Sequence, residues 1–360
     1  MKENTFVTIM AGGIGSRFWP KSRTHHPKQF LDFLNTGRSL IQMTYDRFSS
    51  IVPKENILIV TNQDYAELVK EHLPEISESQ ILKEPARRNT APCIAYAAER
   101  VRAVAPDSNM IVTPADHLIT DQKAFETTVE KAIEFVSKNQ ALVTLGIKPT
   151  RPDTGYGYIQ FYEEGTKEDA HRVKTFTEKP SLEIAKTFLE SGDFLWNSGM
   201  FLWNVKAITE EFAQHLPEIS DAFAGYSSEF TSEQEEVYAG NAYSLCSNIS
   251  IDYGIMEKSE NVFVIPSEFG WSDVGTWAAL HHIMEKDYVG NAVDGKLVHV
   301  YDSNNNMVSV PKDKLVVLQG LEGFGVIDTD DALLIFKLEN EQEVKPITND
   351  LKRKKLDRFM

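Results

Sequence analysis

Through the first 150 residues, short runs of β-branched and other apolar residues alternate with stretches in which apolar side chains recur every three or four positions. The runs predict strands at Thr5 to Met10, Ile57 to Thr61, Met110 to Thr113 and Ala141 to Leu145, and the intervening stretches predict helices, the pattern of a parallel sheet covered by helices. Ser39 is placed to cap a helix running to about Ser49, and 124–136 carries apolar residues at helical spacing. The clearest helix start is Asn89-Thr90-Ala91-Pro92, an Asn or Thr cap with proline in the first turn, after which Ile94, Ala97, Ala98 and Val101 fall on one face.

From about Gly155 the texture is more mixed, with short strands predicted at Tyr158 to Phe161, Val173 to Thr177 and Met200 to Trp203 among helices and aromatic-rich loops. After about Asp287 it changes again. Lys296 to Tyr301, Met307 to Val310, Leu315 to Leu318, Gly325 to Asp328 and Leu333 to Lys337 read as short strands separated by Asn, Asp and Gly turns. The expected division is therefore a large α/β domain at 1–287 and a small β-rich domain at 288–360, whose strand spacing suits a few coils of a β-helix.

A chain of 360 residues has room for about two domains. With 37 Lys+Arg against 53 Asp+Glu, a net charge of −16 and a pI near 5.1, general nucleic-acid binding and docking on anionic lipid are disfavoured. Cys93 and Cys246 stand far apart in no CxxC pattern, which predicts neither a zinc site nor a disulfide framework and fits a reduced, cytoplasmic setting. The apolar stretch Phe6 to Ala11 is too short for a signal peptide or a span, so no membrane partner is expected.

The first strand runs straight into Gly12-Gly13-Ile14-Gly15-Ser16-Arg17. Glycines after a strand let backbone N–H groups turn toward an anion. A dinucleotide fingerprint counted from Gly13 and Gly15 would need glycine where Phe18 stands, and no register supplies a Walker A loop, so both of those readings fail. Arg17, Lys21, Arg23 and Lys28 follow at once, a local excess of cations in an acidic chain, interleaved with Trp19, Pro20, Pro27 and Phe30.

The stretch from Gly12 to Arg23, with Pro27-Lys28-Gln29-Phe30, resembles the signature of the sugar-1-phosphate nucleotidyltransferases, specifically the mannose-1-phosphate guanylyltransferases. Further segments fall in that family's order: Glu84 to Pro92, Pro114 to His117, Thr154 to Tyr158, Phe176 to Pro180, Trp196 to Phe201, Ser250 to Tyr253 and Gly270 to Trp277. The resemblance extends through Asp328 to Leu334 and Gln342 to Lys345, and so covers essentially the whole chain. Ala115 departs from it, since serine is commoner there. Longer relatives carry an additional phosphomannose isomerase domain that this chain is expected to lack. The resemblance implies a Rossmann-like, GT-A-like nucleotidyltransferase domain with a mostly parallel mixed sheet. It also implies a reaction in which mannose 1-phosphate attacks the α-phosphorus of GTP, yielding GDP-mannose and pyrophosphate with Mg2+ as cofactor.

Every reacting group in that chemistry is anionic, so positioning and charge neutralisation are the protein's task. By resemblance, Gly12, Gly13 and Gly15 bring backbone donors to the nucleotide, while Arg17 and Lys28 hold its phosphates. Lys21 and Arg23 are open between phosphate contacts and ion pairs with nearby acids. Magnesium takes one or two carboxylates plus substrate phosphates, and Asp116 and Asp273 are the candidates, Asp116 lying just past a strand end. His117 and the pairs His25-His26 and His281-His282 are read as structural. Glu178 and Lys179 are the candidates for sugar hydroxyls and sugar phosphate, although neighbours on an extended segment point to opposite sides unless the strand ends there, as Pro180 suggests. Gly157 and Asn197 join them, with Asp252 as a further candidate. For the base, Glu84 is the expected acceptor for guanine N1–H and amine, and Arg88 or Asn89 the donor to O6, a Glu84–Arg88 pair being the alternative. Two other readings stay open: a sibling nucleotidyltransferase using another hexose 1-phosphate or NTP, and a catalytically silent nucleotide-sugar sensor. A homodimer is left open as well.

Overall fold

The computed structural model describes residues 1–360, whose contacts gather into two compact units. The first comprises Met1–Gly12, Gln42–Ala115 and Ile119–Trp271, and the second Gly13–Ile41, Asp116–Leu118 and Ser272–Met360. No helix is long and apolar enough to cross a membrane.

The first unit is built on a nine-stranded sheet. Its strands lie in the spatial order Ile81–Glu84, Ile57–Asn62, Thr5–Met10, Asn109–Pro114, Phe194–Asn204, Leu142–Ile147, Val262–Ser267, His171–Thr177 and Tyr158–Gly165. The first four are parallel to one another, as are Leu142–Ile147 and Val262–Ser267. Phe194–Asn204 runs antiparallel between those two groups, and the last two strands are also antiparallel. The sheet is thus mixed, and less parallel than the strand–helix alternation predicts, because one long strand enters its middle against the prevailing direction.

That strand was expected only over Met200 to Trp203. Asn197, Ser198 and Gly199 interrupt the apolar pattern, yet Phe194–Asn204 is extended through them and buried over most of its length. Strand Ile57–Asn62 is buried at every position, as a strand covered on both faces must be. Thr5–Met10 pairs on one side with Ile57–Asn62 and on the other with Asn109–Pro114, so the strand order reverses there. This reversal is the switch point at whose carboxyl edge open α/β sheets hold ligands.

Helix Thr90–Val104 starts where expected, with Asn89 Oδ1 accepting from Thr90 N at 3.0 Å. Its burial is wider than one face: every residue from Ala91 to Ala98 is buried, in a core shared with Trp203, Ile208, Phe212 and Tyr243. Small side chains permit this, because alanines let neighbouring elements approach on several sides.

In the second unit, Phe18, Phe33 and Trp277 form an aromatic cluster, with the Phe18 and Trp277 rings 4.9 Å apart. Short tail strands pair in parallel: Ala292–Asp294 with Met307–Ser309, Met307–Ser309 with Phe324–Asp328, and Val298–Tyr301 with Val316–Gln319. Leu333–Lys337 closes the stack antiparallel. Asparagines in and before these turns tie the segments together. Buried Asn306 donates to Asn291 Oδ1 and to the Leu321 carbonyl, and accepts from Phe324 N at 2.8 Å. Val308, Val310, Leu318 and Val326 fill the space between.

Candidate active site

Three groupings of the expected residues emerge. The first lies in the second unit. Gly15 turns the chain in the left-handed region at φ 67°, and a Cβ there would collide with the Lys28 side chain. Glycine is required on both counts. Ser22 Oγ donates to the Ile14 carbonyl at 2.6 Å and braces the loop. Lys28 is buried, and its Nζ donates to Asp116 Oδ2 at 2.8 Å and to the Asp273 carbonyl at 2.7 Å. Asp273 Oδ1 in turn accepts from Gly275 N at 2.9 Å. Burial pushes the Asp116 carboxyl up, but the Lys28 ammonium and His117 outweigh it and hold it below the usual carboxylate range. The Asp116 carboxylate and the Asp273 carbonyl meet at one buried cation, and both are oxygen donors of the kind that suits a hard divalent ion. No cluster of three protein ligands of metal-binding type is present, so an ion there would draw further ligands from phosphates or water.

The other cations near the glycine loop divide. Lys21 pairs with Asp294 at 2.7 Å, and Arg23, almost wholly buried, pairs with Asp331 through both terminal nitrogens and bonds Thr329 and the Pro20 carbonyl. Of the two alternatives for these residues, the ion pair is the one formed. Arg17 is exposed, with its Nε on Gln342 Oε1 at 3.1 Å. A Cβ on exposed Gly13 would meet nothing, so no packing within the chain calls for glycine there.

The second grouping, in the first unit, centres on Glu84 at the end of its strand. Its carboxylate is buried and accepts from Tyr243 Oη at 2.8 Å, and a Cβ on Gly12 would lie 3.1 Å from its Oε2. Burial pushes the Glu84 carboxyl up to about 7, against the Tyr243 hydrogen bond and the Arg87 charge, which pull it down. Glu84 is therefore partnered by Tyr243. Arg88 Nε is buried without a hydrogen-bond partner in the chain, while the neighbouring Arg87 donates to Tyr65 Oη at 2.7 Å. Thr90 Oγ1 accepts from Ile251 N at 2.9 Å, which ties this helix start to the segment carrying Asp252.

A testable consequence follows from the raised Glu84 carboxyl. The folded chain holds that proton between the ordinary carboxyl range near 4.5 and about 7, whereas the unfolded chain has lost it, so the contribution is present below 4.5 and lost as pH rises through 7. Glu84→Gln, which keeps an acceptor for Tyr243, should gain on the wild type by about 3 kcal/mol between pH 5 and pH 8.5 in urea unfolding of the ligand-free protein. Parallel pH profiles for the two proteins would remove the assignment.

In the third grouping, Gly157, Glu178, Lys179, Asn197 and Asp252 converge in the first unit. The Glu178 carboxylate lies so close to Gly157 that any Cβ would overlap its Oε2. Lys179 pairs with Glu178 Oε1. These neighbours meet because Lys179 sits at φ 48°, in the left-handed region, which turns the chain and brings the two heads to one side. For a non-glycine residue that conformation costs about 1–3 kcal/mol. Asn197 is buried and locked: Nδ2 donates to Asp252 Oδ1 at 2.9 Å, Oδ1 accepts from Thr144 Oγ1 at 3.1 Å, and its N–H donates to the Gly157 carbonyl at 2.8 Å. Burial, aided by the Glu178 charge, pushes the Asp252 carboxyl up to about 6. Burial lowers the Lys179 ammonium, but Glu178 and Asp252 outweigh it and raise it overall. Glu178 Oε2 is buried and has no hydrogen-bond partner within the protein.

Three residues of these groupings escape the sequence reading. Tyr243 lies in helix Ser232–Leu245 with no motif around it. Thr144 is one threonine in a buried strand. Arg151, held by Asp153 and lying 5.2 Å over the Trp196 ring, stands just before the Thr154 to Tyr158 segment, and that proximity is the one signal that could have found it.

The nucleotidyl transferase family profile matches residues 7–289. The mannose-1-phosphate guanylyltransferase of Escherichia coli is 37% identical over 96% of this chain and 73% of its own length. The xanthan biosynthesis protein XanB of Xanthomonas campestris is also 37% identical, over 96% of this chain and 72% of its own. A crystal structure named mannose-1-phosphate geranyltransferase, from Thermus thermophilus, matches with a TM-score of 0.84 at 34% identity, covering 97% of this chain and 99% of that one. On these matches, the chain belongs to the nucleotidyl transferase family, and within it to the mannose-1-phosphate guanylyltransferases.

Proposed function

We propose that the chain transfers the guanylyl group of GTP to mannose 1-phosphate: a phosphate oxygen of the sugar attacks the α-phosphorus, the α–β bridging P–O bond breaks, and pyrophosphate leaves with the electron pair. The observation that carries this reading is the convergence of Asp116 and Asp273 on the buried Lys28 that follows the glycine loop. The names borne by the relatives at 36–37% identity support the substrates.

In this reading the N–H groups of Gly12, Gly13 and Gly15 lie against the triphosphate, and Lys28 and Arg17 neutralise charge on the leaving pyrophosphate. Nucleotidyltransferases of this family generally use a divalent metal. We take it to be magnesium, held by Asp116 and Asp273; when bound, it would neutralise phosphate charge and help align the two reactants. Glu84 accepts from the guanine N1–H and amine, hydrogen bonds that return to the buried carboxylate the stabilisation burial removes, while Arg88 and Asn89 stand ready for O6. Glu178, whose Oε2 lacks a partner, accepts from sugar hydroxyls; Lys179 holds the sugar phosphate; Gly157 and Asn197 set the floor beneath them.

The same reading treats 1–287 as the catalytic part and 288–360 as a β-helix-like tail, supported by the parallel pairing of successive tail strands. It also takes the setting as cytoplasmic, which two free, buried cysteines support. Pyrophosphate release measured over four NTPs and several sugar 1-phosphates with magnesium should be greatest for GTP with mannose 1-phosphate. A preference for UTP or glucose 1-phosphate would overturn the substrate assignment, and no turnover alongside tight GDP-mannose binding would replace the enzyme with a sensor.

A further inference from the structure

We infer that Lys28 makes Asp116 and Asp273 a conditional cation site, closed to a free divalent ion until nucleotide phosphates draw the ammonium away. The inference rests on the metal role proposed above for the two aspartates. Lys28 Nζ sits 2.8 Å from Asp116 Oδ2 and 2.7 Å from the Asp273 carbonyl, and only 5% of its side chain is exposed. The stem is confined as well, passing where Gly15 lacks a Cβ, with Nζ 5.7 Å from the centroid of the Phe18 ring.

An ammonium so placed already neutralises the Asp116 carboxylate and occupies the position beside Asp116 Oδ2 and the Asp273 carbonyl that a cation would take. Two cations cannot share those oxygens, because their repulsion at such separations in a partly buried site is strong. A divalent ion arriving alone would have to displace this buried ammonium from its carboxylate partner. A triphosphate changes the exchange, since its oxygens accept charge-assisted hydrogen bonds from the ammonium. The lysine head is a compact point charge with rotatable donors, so a short displacement of its end beyond the confined part of the stem suffices. Metal and nucleotide then bind with positive coupling, and by linkage the coupling is the same in either direction.

Mn2+ alone, followed by electron paramagnetic resonance on nucleotide-free protein, tests this directly. Lys28→Met keeps the stem and deletes the charge, and should bind Mn2+ at least tenfold more tightly than the wild type. Adding Asp116→Asn to that variant should abolish the gain. Circular dichroism and the thermal midpoint establish that the variant is folded, and Lys28→Gln serves where the methionine variant is not. In the wild type, GDP should create an Mn2+ signal that Asp116→Asn removes. Unchanged Mn2+ affinity in folded Lys28→Met, or a gain that survives Asp116→Asn, overturns the inference while leaving the metal assignment standing. Absence of any Asp116-dependent signal with GDP overturns the metal assignment itself.

Discussion

Asp116→Asn is expected to lower kcat for GDP-mannose formation by roughly a thousandfold, with no recovery on raising magnesium. Removing one preorganised charge-stabilising group at a reacting phosphate costs about 10²–10³ in rate, and here a single carboxylate serves two partners. It neutralises the buried Lys28 ammonium at 2.8 Å, and in the proposed chemistry it is one of two protein anchors for the cation. Asparagine is nearly isosteric and still offers an oxygen to Lys28, so the fold should persist with a loss of about 1–3 kcal/mol from an imperfectly compensated ammonium. Steady-state pyrophosphate release, alongside a thermal melt, separates the two effects. Turnover near the wild-type value in the folded variant would take Asp116 out of the chemistry.

Lys179→Met should act on the other substrate. A hydrogen bond to a charged group contributes about 1.5–3 kcal/mol, so KM for mannose 1-phosphate is expected to rise roughly 10- to 100-fold, with KM for GTP nearly unchanged. A second signature follows from what Lys179 neutralises. Its charge lowers the Asp252 carboxyl, which burial and Glu178 already push up to about 6. Without the ammonium, Asp252 faces the Glu178 charge with less compensation, its carboxyl moves up, and the acidic limb of kcat/KM for the sugar phosphate should shift to higher pH. A variant with unchanged KM and an unshifted limb would leave Lys179 as an exposed partner of Glu178 and no more.

Several elements are legible because their causes are local. Thr5–Met10 matches its expected bounds, since a short run rich in β-branched and apolar residues ended by glycines favours an extended strand. The cap at Asn89 is equally direct, an amide beside the first free N–H of a helix. Other elements escape because their cause lies elsewhere in the chain. Ile81–Glu84 is too short and too polar at Lys83 and Glu84 to announce a strand; its pairing with Ile59 to Asn62 supplies what periodicity does not. Phe194–Asn204 is broken in pattern by the polar residues and glycine that the third grouping needs. The site departs from regular local structure in the same place, at the left-handed Lys179. On the proposed reading, the third grouping is where binding chemistry overrides local propensity.

By itself, the amino-acid sequence determines the parts: an acidic chain with cations concentrated after a glycine turn, a strand–helix alternation, Asn-rich turns in a β tail, and motif residues whose chemistry suits phosphates, a hard cation and a sugar. Those properties reside in single residues or in spacings of a few positions. Only the tertiary structure decides which parts meet. Lys28 reaches across 88 residues to Asp116 and 245 to Asp273, and Tyr243 lies 159 residues from the Glu84 it orients. Each pairing was chosen over other acids and hydroxyls of the same type, as Arg23 shows by closing on Asp331 rather than remaining free for phosphate. The physical reason is that burial and hydrogen bonding between distant segments depend on how the whole sheet and its loops pack, and residue identity carries that information only through the fold.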